Sequence, residues 1–296
     1  MKQTQFRLLS PILLALMVLE ILYLAGAIHF AGLFPAVGAD FRALYAAARI
    51  VQEEGFPHIY DLERHMPIQR ALCQVAGPEA QCVLIPMVFL PVFLLPVLPL
   101  AFLNPISAFA LWSALNFFGA LLILRPWVQG FEPLARRRVL AMALLSFPVF
   151  SNLLWGQSNL WLMLCGGLFL REWAQGRLFE AGLWASGLLL KPQTIILLAP
   201  ALAMARQWRV LAGLGAGVAA LGTASLLLAG PGMAAWARIL MGFSSPVPGL
   251  VPGVVGAETM MNWRSIGLLL SGSLPPPLAW GIAGVGILLT VGATLR

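Results

Sequence analysis

The sequence predicts an all-α integral membrane protein, and composition is the first reason. Of the 296 residues, 60% are hydrophobic and 10% are charged, and the mean hydropathy is +0.89. Soluble chains carry about 25% charged residues, so a water-soluble fold with this little charge could not cover its own surface. The second reason is the arrangement of the hydrophobic residues, which form a series of apolar segments joined by polar stretches.

The positive net charge has a membrane explanation. The formal charge is +7, but the basic residues lie at the ends of apolar segments and form no patch, so we expect no nucleic-acid partner. The three cysteines form no CxxC pair or Cys/His cluster, and the three histidines lack the spacing of metal ligands. We therefore expect neither a metal site nor a cofactor.

The first apolar segment, residues 8–30, is too long for a cleaved signal peptide, whose apolar core spans roughly 7–15 residues. We expect a retained transmembrane helix with its N-terminus in the cytoplasm. The whole chain, residues 1–296, is expected to form a single polytopic transmembrane domain in the cell membrane.

Residues 34–82 form the only long polar segment before the C-terminal third, and they hold six of the eleven acidic residues. Within this segment, residues 41–51 have helical spacing and few helix breakers, which predicts a helix lying along the membrane surface. We expect residues 34–82 to be an extracytoplasmic loop that carries catalytic residues.

The later apolar segments differ in how well they could cross a bilayer, which needs roughly 20 apolar residues. Four prolines interrupt residues 83–103, which predicts a re-entrant segment. Broken or short helices in lipid usually line a cavity enclosed by protein. Clean spans are predicted at residues 107–124, 210–229 and 278–295, and short or broken segments at 139–154, 160–170 and 181–205.

Arginines orient the predicted bundle. They fall in three joints, which the positive-inside rule places in the cytoplasm. The Asp40 loop, the Gly156-Gln157 joint, Lys191-Pro192 and residues 230–264 then face the other side, and their convergence predicts an active site there. The arginines are Arg125, Arg136, Arg137, Arg138, Arg171, Arg177, Arg206 and Arg209.

Four ordered motifs resemble glycosyltransferase family 87, whose members are polytopic enzymes of the GT-C superfamily. Members are usually longer, so this chain is expected to lack C-terminal helices that they carry. The family's aromatic-Pro-Pro entry to the second span is represented here only by Leu84-Ile85-Pro86. The motifs are Asp40-Phe41 with Tyr45-Ala46-Ala47, Gly55 and Ile59-Tyr60-Asp61; Gly156-Gln157-Ser158-Asn159; Ala181-Gly182 with Gly187-Leu188, Lys191-Pro192 and Arg206-Gln207-Trp208-Arg209; and Asn262-Trp263-Arg264-Ser265.

The resemblance implies a GT-C-like bundle that transfers a hexosyl, mannosyl-like, or pentosyl group. The implied donor is a polyprenyl-phosphate sugar, and the acceptor is an extracytoplasmic lipid or glycan. Such a reaction needs a general base for the acceptor hydroxyl and polar groups that stabilise the phosphate leaving group.

Asp40 is the predicted base; the alternative is that it only caps the helix that follows. Lys191 is predicted to bind the donor phosphate, although its long stem could instead carry the charge to the membrane interface. Gln157 and Asn159 are predicted to bind substrate or, alternatively, to satisfy the broken joint between two helices. The remaining predicted substrate-binding residues are Tyr45, Tyr60, Asp61, Asn262 and Arg264.

Two further alternatives stay open at this point. Cys73 and Cys82 flank a Gly77-Pro78 turn and could form a disulfide in an oxidising compartment, or remain free thiols. The chain could also be a transporter or lipid flippase without transferase activity, because broken helices and an intramembrane lysine suit that function as well. A non-catalytic assembly protein that keeps the fold is a third possibility.

Overall fold

The computed structural model of the chain describes residues 9–31, 38–74, 84–242, 266–267 and 270–294. The regular elements of these residues are helices, as the sequence predicts. The chain divides into two compact units, Met1–Val247 and Pro248–Arg296. The first unit contains α1 (Leu9–Ala31), α2 (Ala39–Glu54), α3 (Leu62–Gln74), α4 (Pro105–Leu124), α5 (Pro133–Leu144), α6 (Phe147–Trp155), α7 (Asn159–Ala174), α8 (Leu178–Ser186), α9 (Gln193–Met204), α10 (Trp208–Ala229) and α11 (Gly232–Gly242); the second contains α12 (Pro276–Thr294).

Two helical stretches of the described residues are long and apolar enough to cross a membrane, Pro105–Val128 and Trp208–Ala229. Helices α5 and α6 would together form a third span, bent by 44°. The sequence predicts one segment at residues 139–154, and the structure interrupts it between Leu144 and Phe147. Pro148 explains the break, because proline has no amide proton to donate to a carbonyl of the preceding helical turn. Proline is instead favoured in the first turn of a new helix.

The proline-rich segment predicted as re-entrant forms a 3₁₀ helix, Pro91–Phe102. A 3₁₀ helix has three residues per turn, so residues three apart share one face. Leu94, Val97 and Leu100 follow this spacing and are all buried against α2. This buried 3₁₀ helix forms one wall of the main core.

Helix α2 begins two residues before the predicted helix and is largely enclosed by protein. Ten of its residues are buried, including Phe41 and Ile50. Its many alanines allow the 3₁₀ helix Pro91–Phe102 to approach closely. The predicted position of α2 along a membrane surface stays a prediction.

Helix α11 lies where the sequence predicts only a polar stretch rich in proline and glycine. Its Met233, Trp236 and Ile239 recur at helical spacing and contact the core around α2. The indole Nε1 of Trp236 also donates a hydrogen bond of 2.9 Å to the carbonyl of Val88. Residues 233–241 contain no proline or glycine, and burial of their apolar face stabilises the helix between the flanking helix breakers.

Helices α8 and α10 pack backbone against backbone. A Cβ atom on Gly182 would overlap the backbone of α10 at Val210 and Gly213, and one on Gly217 would overlap Ser186. Small residues at such contacts let transmembrane helices approach closely. This contact places the break that follows α8, where the 3₁₀ turn Gly187–Leu190 precedes Lys191.

Candidate active site

A left-handed glycine sets the start of α2. Gly38 has a φ of 77°, and its amide donates a 2.6 Å hydrogen bond to the carbonyl of Leu154 at the end of α6. The helix begins at Ala39, so Asp40 lies within the first turn and not at the N-cap position that the capping alternative requires. A carboxylate in the first turn is still favoured by the helix dipole.

A second left-handed glycine brings the α6–α7 joint against α2. Gly156 has a φ of 66°, and a Cβ atom there would lie 2.6 Å from the Cβ of Phe41. Its carbonyl accepts a 2.9 Å hydrogen bond from Nε1 of the buried Trp112 in α4. Only glycine combines this backbone conformation with so close an approach. Gln157 is therefore held beside the first turn of α2.

A chain of amide side chains orients Gln157. Its Oε1 accepts a 2.5 Å hydrogen bond from Nδ2 of Asn159, whose backbone amide donates to Oδ1 of Asn152 at 3.0 Å. Asn152 in turn donates to Asn116 at 3.2 Å, and Asn116 donates to the carbonyl of Trp112 at 2.8 Å. Because Oε1 of Gln157 is occupied, its amide nitrogen is left to donate towards Asp40.

Lys191 approaches the same carboxyl group from a third part of the chain. It follows the 3₁₀ turn Gly187–Leu190 in an extended conformation, with φ −125° and ψ 91°. The hydroxyl of Thr194 donates to the carbonyl oxygens of Leu188 and Lys191, at 2.9 and 2.8 Å, and so closes the break before α9. Lys191 is half-buried and interacts electrostatically with Asp40.

The pKa of Asp40 is raised above the ordinary value of 3.8, and burial is the main cause, because a carboxylate loses hydration there. The hydrogen bond from Gln157 and the positive charges of Lys191 and Arg42 act in the opposite direction. The net result is a carboxyl group that binds a proton more strongly than an exposed aspartate, while three neighbours still stabilise its ionised form.

Two predicted substrate-binding residues use their hydroxyl groups within the protein. Tyr45 donates a 2.8 Å hydrogen bond to the carbonyl of Leu103, and Tyr60 donates one of 2.6 Å to the carbonyl of Phe89. Both rings are buried, and burial raises the pKa of both hydroxyls. Each tyrosine therefore ties the first loop to the proline-rich segment.

Asp61 lies in a different setting. Its carboxylate pairs with Nε of Arg64 at 2.9 Å and accepts a 3.0 Å hydrogen bond from the amide of Glu63. Arg64 also pairs with Glu54. These side chains line a cavity of about 390 Å³ whose other lining residues include Glu53. The structure brings Asp40, Gln157 and Lys191 together and places Asp61 in this separate acidic group.

Cys73 is fully buried, disulfide-bonded and in contact with the guanidinium group of Arg42. Its predicted partner Cys82 lies outside the described residues, as do Asn262 and Arg264, so these assignments stay predictions. Within the described part of the chain, no group of three or more His, Cys, Asp or Glu residues could hold a metal ion.

The sequence-based reasoning missed part of the site. Asn116, Asn152 and Trp112 hold the joint that carries Gln157, and Arg42 acts on Asp40 through its charge. A signal for the two asparagines was present, because uncharged polar residues inside apolar segments of a membrane protein usually hydrogen-bond between helices.

The model of Glycosyltransferase family 87 matches residues 89–296, which is more than half of the chain. The match includes Gln157, Asn159 and Lys191 but begins after the loop that carries Asp40. No curated protein and no solved structure matches the chain. With helices long and apolar enough to cross a membrane, the chain belongs to glycosyltransferase family 87.

Proposed function

We propose that the protein transfers a hexosyl, mannosyl-like, or pentosyl group from a polyprenyl-phosphate donor to an extracytoplasmic lipid or glycan acceptor. The proposal rests on one observation. A carboxyl group, an amide and an ammonium group come together although Asp40, Gln157 and Lys191 belong to three distant stretches of sequence. These groups match what transfer of a sugar from a phosphate requires.

Asp40 acts as the general base in this proposal. The acceptor hydroxyl attacks the anomeric carbon of the donor sugar, and its proton passes to the Asp40 carboxylate as the new glycosidic bond forms. Base catalysis improves as the pKa of the base approaches the working pH. Burial raises the pKa of Asp40 in that direction. Gln157 holds the carboxylate by its amide, and Asn159 fixes that amide.

Lys191 acts on the other side of the reaction. The bond between the anomeric carbon and the phosphate oxygen breaks, and the leaving polyprenyl phosphate keeps the electron pair. An ammonium group placed at this oxygen stabilises the developing negative charge. Lys191 interacts with Asp40 in the substrate-free protein, so a bound phosphate would share that positive charge and leave the carboxylate a stronger base.

The first loop gives this site its extracytoplasmic position in the proposal. Residues 34–82 face outward if the three arginine-rich joints face the cytoplasm. Tyr45 and Tyr60 keep the loop against the proline-rich segment through their hydrogen bonds. Asn262 and Arg264 remain candidates for contact with the donor or acceptor. Membership of a glycosyltransferase family favours this function over a transporter or flippase.

The test is transfer by the purified protein in liposomes. It receives a polyprenyl-phosphate hexose or a polyprenyl-phosphate pentose together with an extract of membrane lipids and glycans, and mass spectrometry follows the acceptors. We expect an acceptor that gains one sugar residue with loss of the lipid-linked donor. Nucleotide sugars serve as the control. Transfer from nucleotide sugars alone would disprove the lipid-linked donor, and no transfer from any donor would contradict the proposal as a whole.

A further inference from the structure

A groove lies between α4 and α7, away from the candidate active site. It has a volume of about 800 Å³ and is lined mostly by apolar side chains. Helix α7 begins at Asn159 in the active site, and Arg171, which lines the groove, lies twelve residues further along, about 18 Å at the usual helical rise. The residues that line the groove include Leu122, Trp127, Gly167, Leu170 and Arg171.

The groove combines long apolar walls with one positive charge. Leu122 and Leu170 are exposed to the surroundings by 66% and 55%, so these walls suit an acyl chain. Arg171 is exposed and forms no ion pair or side-chain hydrogen bond with the residues that the structure describes. The neighbouring Glu172 is hydrogen-bonded to Arg177, and it interacts with Arg171 through charge alone.

A glycine keeps the groove open. A Cβ atom on Gly167 would meet the indole of Trp127 at 3.7 Å, which is ordinary contact. A larger side chain at this position would extend into the groove. The adjacent Gly166 has no atom within 4 Å of its Cβ position and does not line the groove, so it offers a matched control.

We infer that this groove binds an anionic phospholipid, with an acyl chain along the apolar walls and the phosphate at Arg171. The complementarity is of charge and shape together. Basic pockets between transmembrane helices on the cytoplasmic side bind anionic lipid headgroups. Arg171 belongs to one of the joints that the positive-inside rule places in the cytoplasm. The site is separate from the proposed transferase site, and its occupancy does not depend on transfer.

Lipid binding to the full chain in detergent tests the inference. Native mass spectrometry counts bound phosphatidylglycerol and phosphatidylcholine, and thermal unfolding reports the stabilisation that each lipid gives. We expect phosphatidylglycerol to bind about five-fold more tightly than phosphatidylcholine, the preference that one positive charge near a headgroup supplies. Arg171→Gln should abolish this preference, whereas Arg137→Gln, an exposed arginine of another joint, should leave it unchanged.

The groove itself is tested by the two glycines. We expect Gly167→Leu to remove the bound lipid and Gly166→Leu to retain it. Equal binding of the two lipids to the wild type, or an equal effect of Arg171→Gln and Arg137→Gln, would overturn the inference even if Gly167→Leu failed to fold. The absence of bound lipid in the wild type would overturn the inference as well.

Discussion

Asp40 and the acidic group around Asp61 belong to the same loop, but the protein holds them in different ways. Asp40 is largely enclosed, and the amide that holds it belongs to Gln157 in the distant α6–α7 joint. Asp61 is partly exposed and is surrounded by charges from its own loop, with Arg64 paired to it and to Glu54. The first arrangement raises the pKa of a carboxyl group and orients it. In the second, Arg64 is shared between two acids on a partly exposed surface, where ion pairs contribute little.

The largest expected effect is at Asp40. Asp40→Asn keeps the shape of the side chain and removes the base, so we expect transfer to fall by at least ~100-fold. The raised pKa means that the protonated form stabilises the fold below pH 3.8 and that this contribution is lost as the pH rises through the raised pKa. Asparagine is uncharged and avoids the free-energy cost of burying an ionised carboxylate, so the variant should be at least as stable as the wild type at neutral pH.

We would measure transfer from the lipid-linked donor and thermal unfolding for the wild type and for Asp40→Asn. Asp61→Asn is the matched control and should retain transfer within a few-fold. Near-normal transfer by Asp40→Asn would remove the base assignment, and a large loss in Asp61→Asn alone would move it to Asp61.

Lys191→Met should weaken use of the donor by about ten-fold or more, because a charge-assisted contact with phosphate is lost. It should also move the acid limb of the pH–rate profile to higher pH. Lys191 lowers the pKa of Asp40, so its removal raises that pKa further, and more alkaline solution is then needed to ionise the base. The dependence of kcat/KM on pH measures both effects. An acid limb that does not move would show that the two side chains are not coupled.

Gly156→Ala should destabilise the protein strongly. The left-handed backbone costs roughly 1–2 kcal/mol for a residue with a side chain. The added methyl group would also meet the Cβ of Phe41, and overpacking typically costs a further ~1–3 kcal/mol. Gly176→Ala is the control, since Gly176 has a φ of 75° with no atom within 4 Å of its Cβ position. Chemical denaturation of both variants should show the larger loss for Gly156→Ala; equal losses would contradict the tight contact.

Asn152→Ala should have a smaller effect on both stability and rate. It leaves the amide of Asn159 without its acceptor, and a buried unsatisfied group costs about 1–3 kcal/mol. We expect transfer to fall several-fold, because Gln157 loses its support. Asn104→Ala removes an exposed helix cap and should cost about 1 kcal/mol without reducing transfer. Equal transfer by the two variants would show that the asparagine chain does not support the site.

The smallest effect is expected from Arg64→Gln. It removes two partly exposed ion pairs, and such pairs usually contribute about 0–1 kcal/mol. Transfer should be unchanged within a few-fold, and thermal unfolding should shift little. A loss of transfer as large as that of Asp40→Asn would place the acidic group around Asp61 in the active site. The contrast between that group and the surroundings of Asp40 would then be wrong.

Local features of the sequence predicted several parts of the fold. Apolar length predicted the spans at α4 and α10, and helical spacing predicted α2, because both signals depend on neighbouring residues only. The 3₁₀ helix Pro91–Phe102 and α11 were not predicted. The 3₁₀ helix depends on burial against distant residues, which decides the conformation of a segment whose prolines favour no regular helix. Helix α11 carries a local signal that the prediction overlooked, because residues 233–241 contain no proline or glycine.

Some features of the candidate site likewise follow from the sequence, and others follow only from the tertiary structure. The sequence by itself determined the membrane class, the family resemblance and the chemical types at Asp40, Gln157 and Lys191, because these follow from composition and motif. Only the tertiary structure decided that these three side chains meet while Asp61 pairs with Arg64. Two left-handed glycines, Gly38 and Gly156, and close contacts between helices set these positions. Distances between segments that lie over a hundred residues apart are properties of packing, which no local pattern encodes.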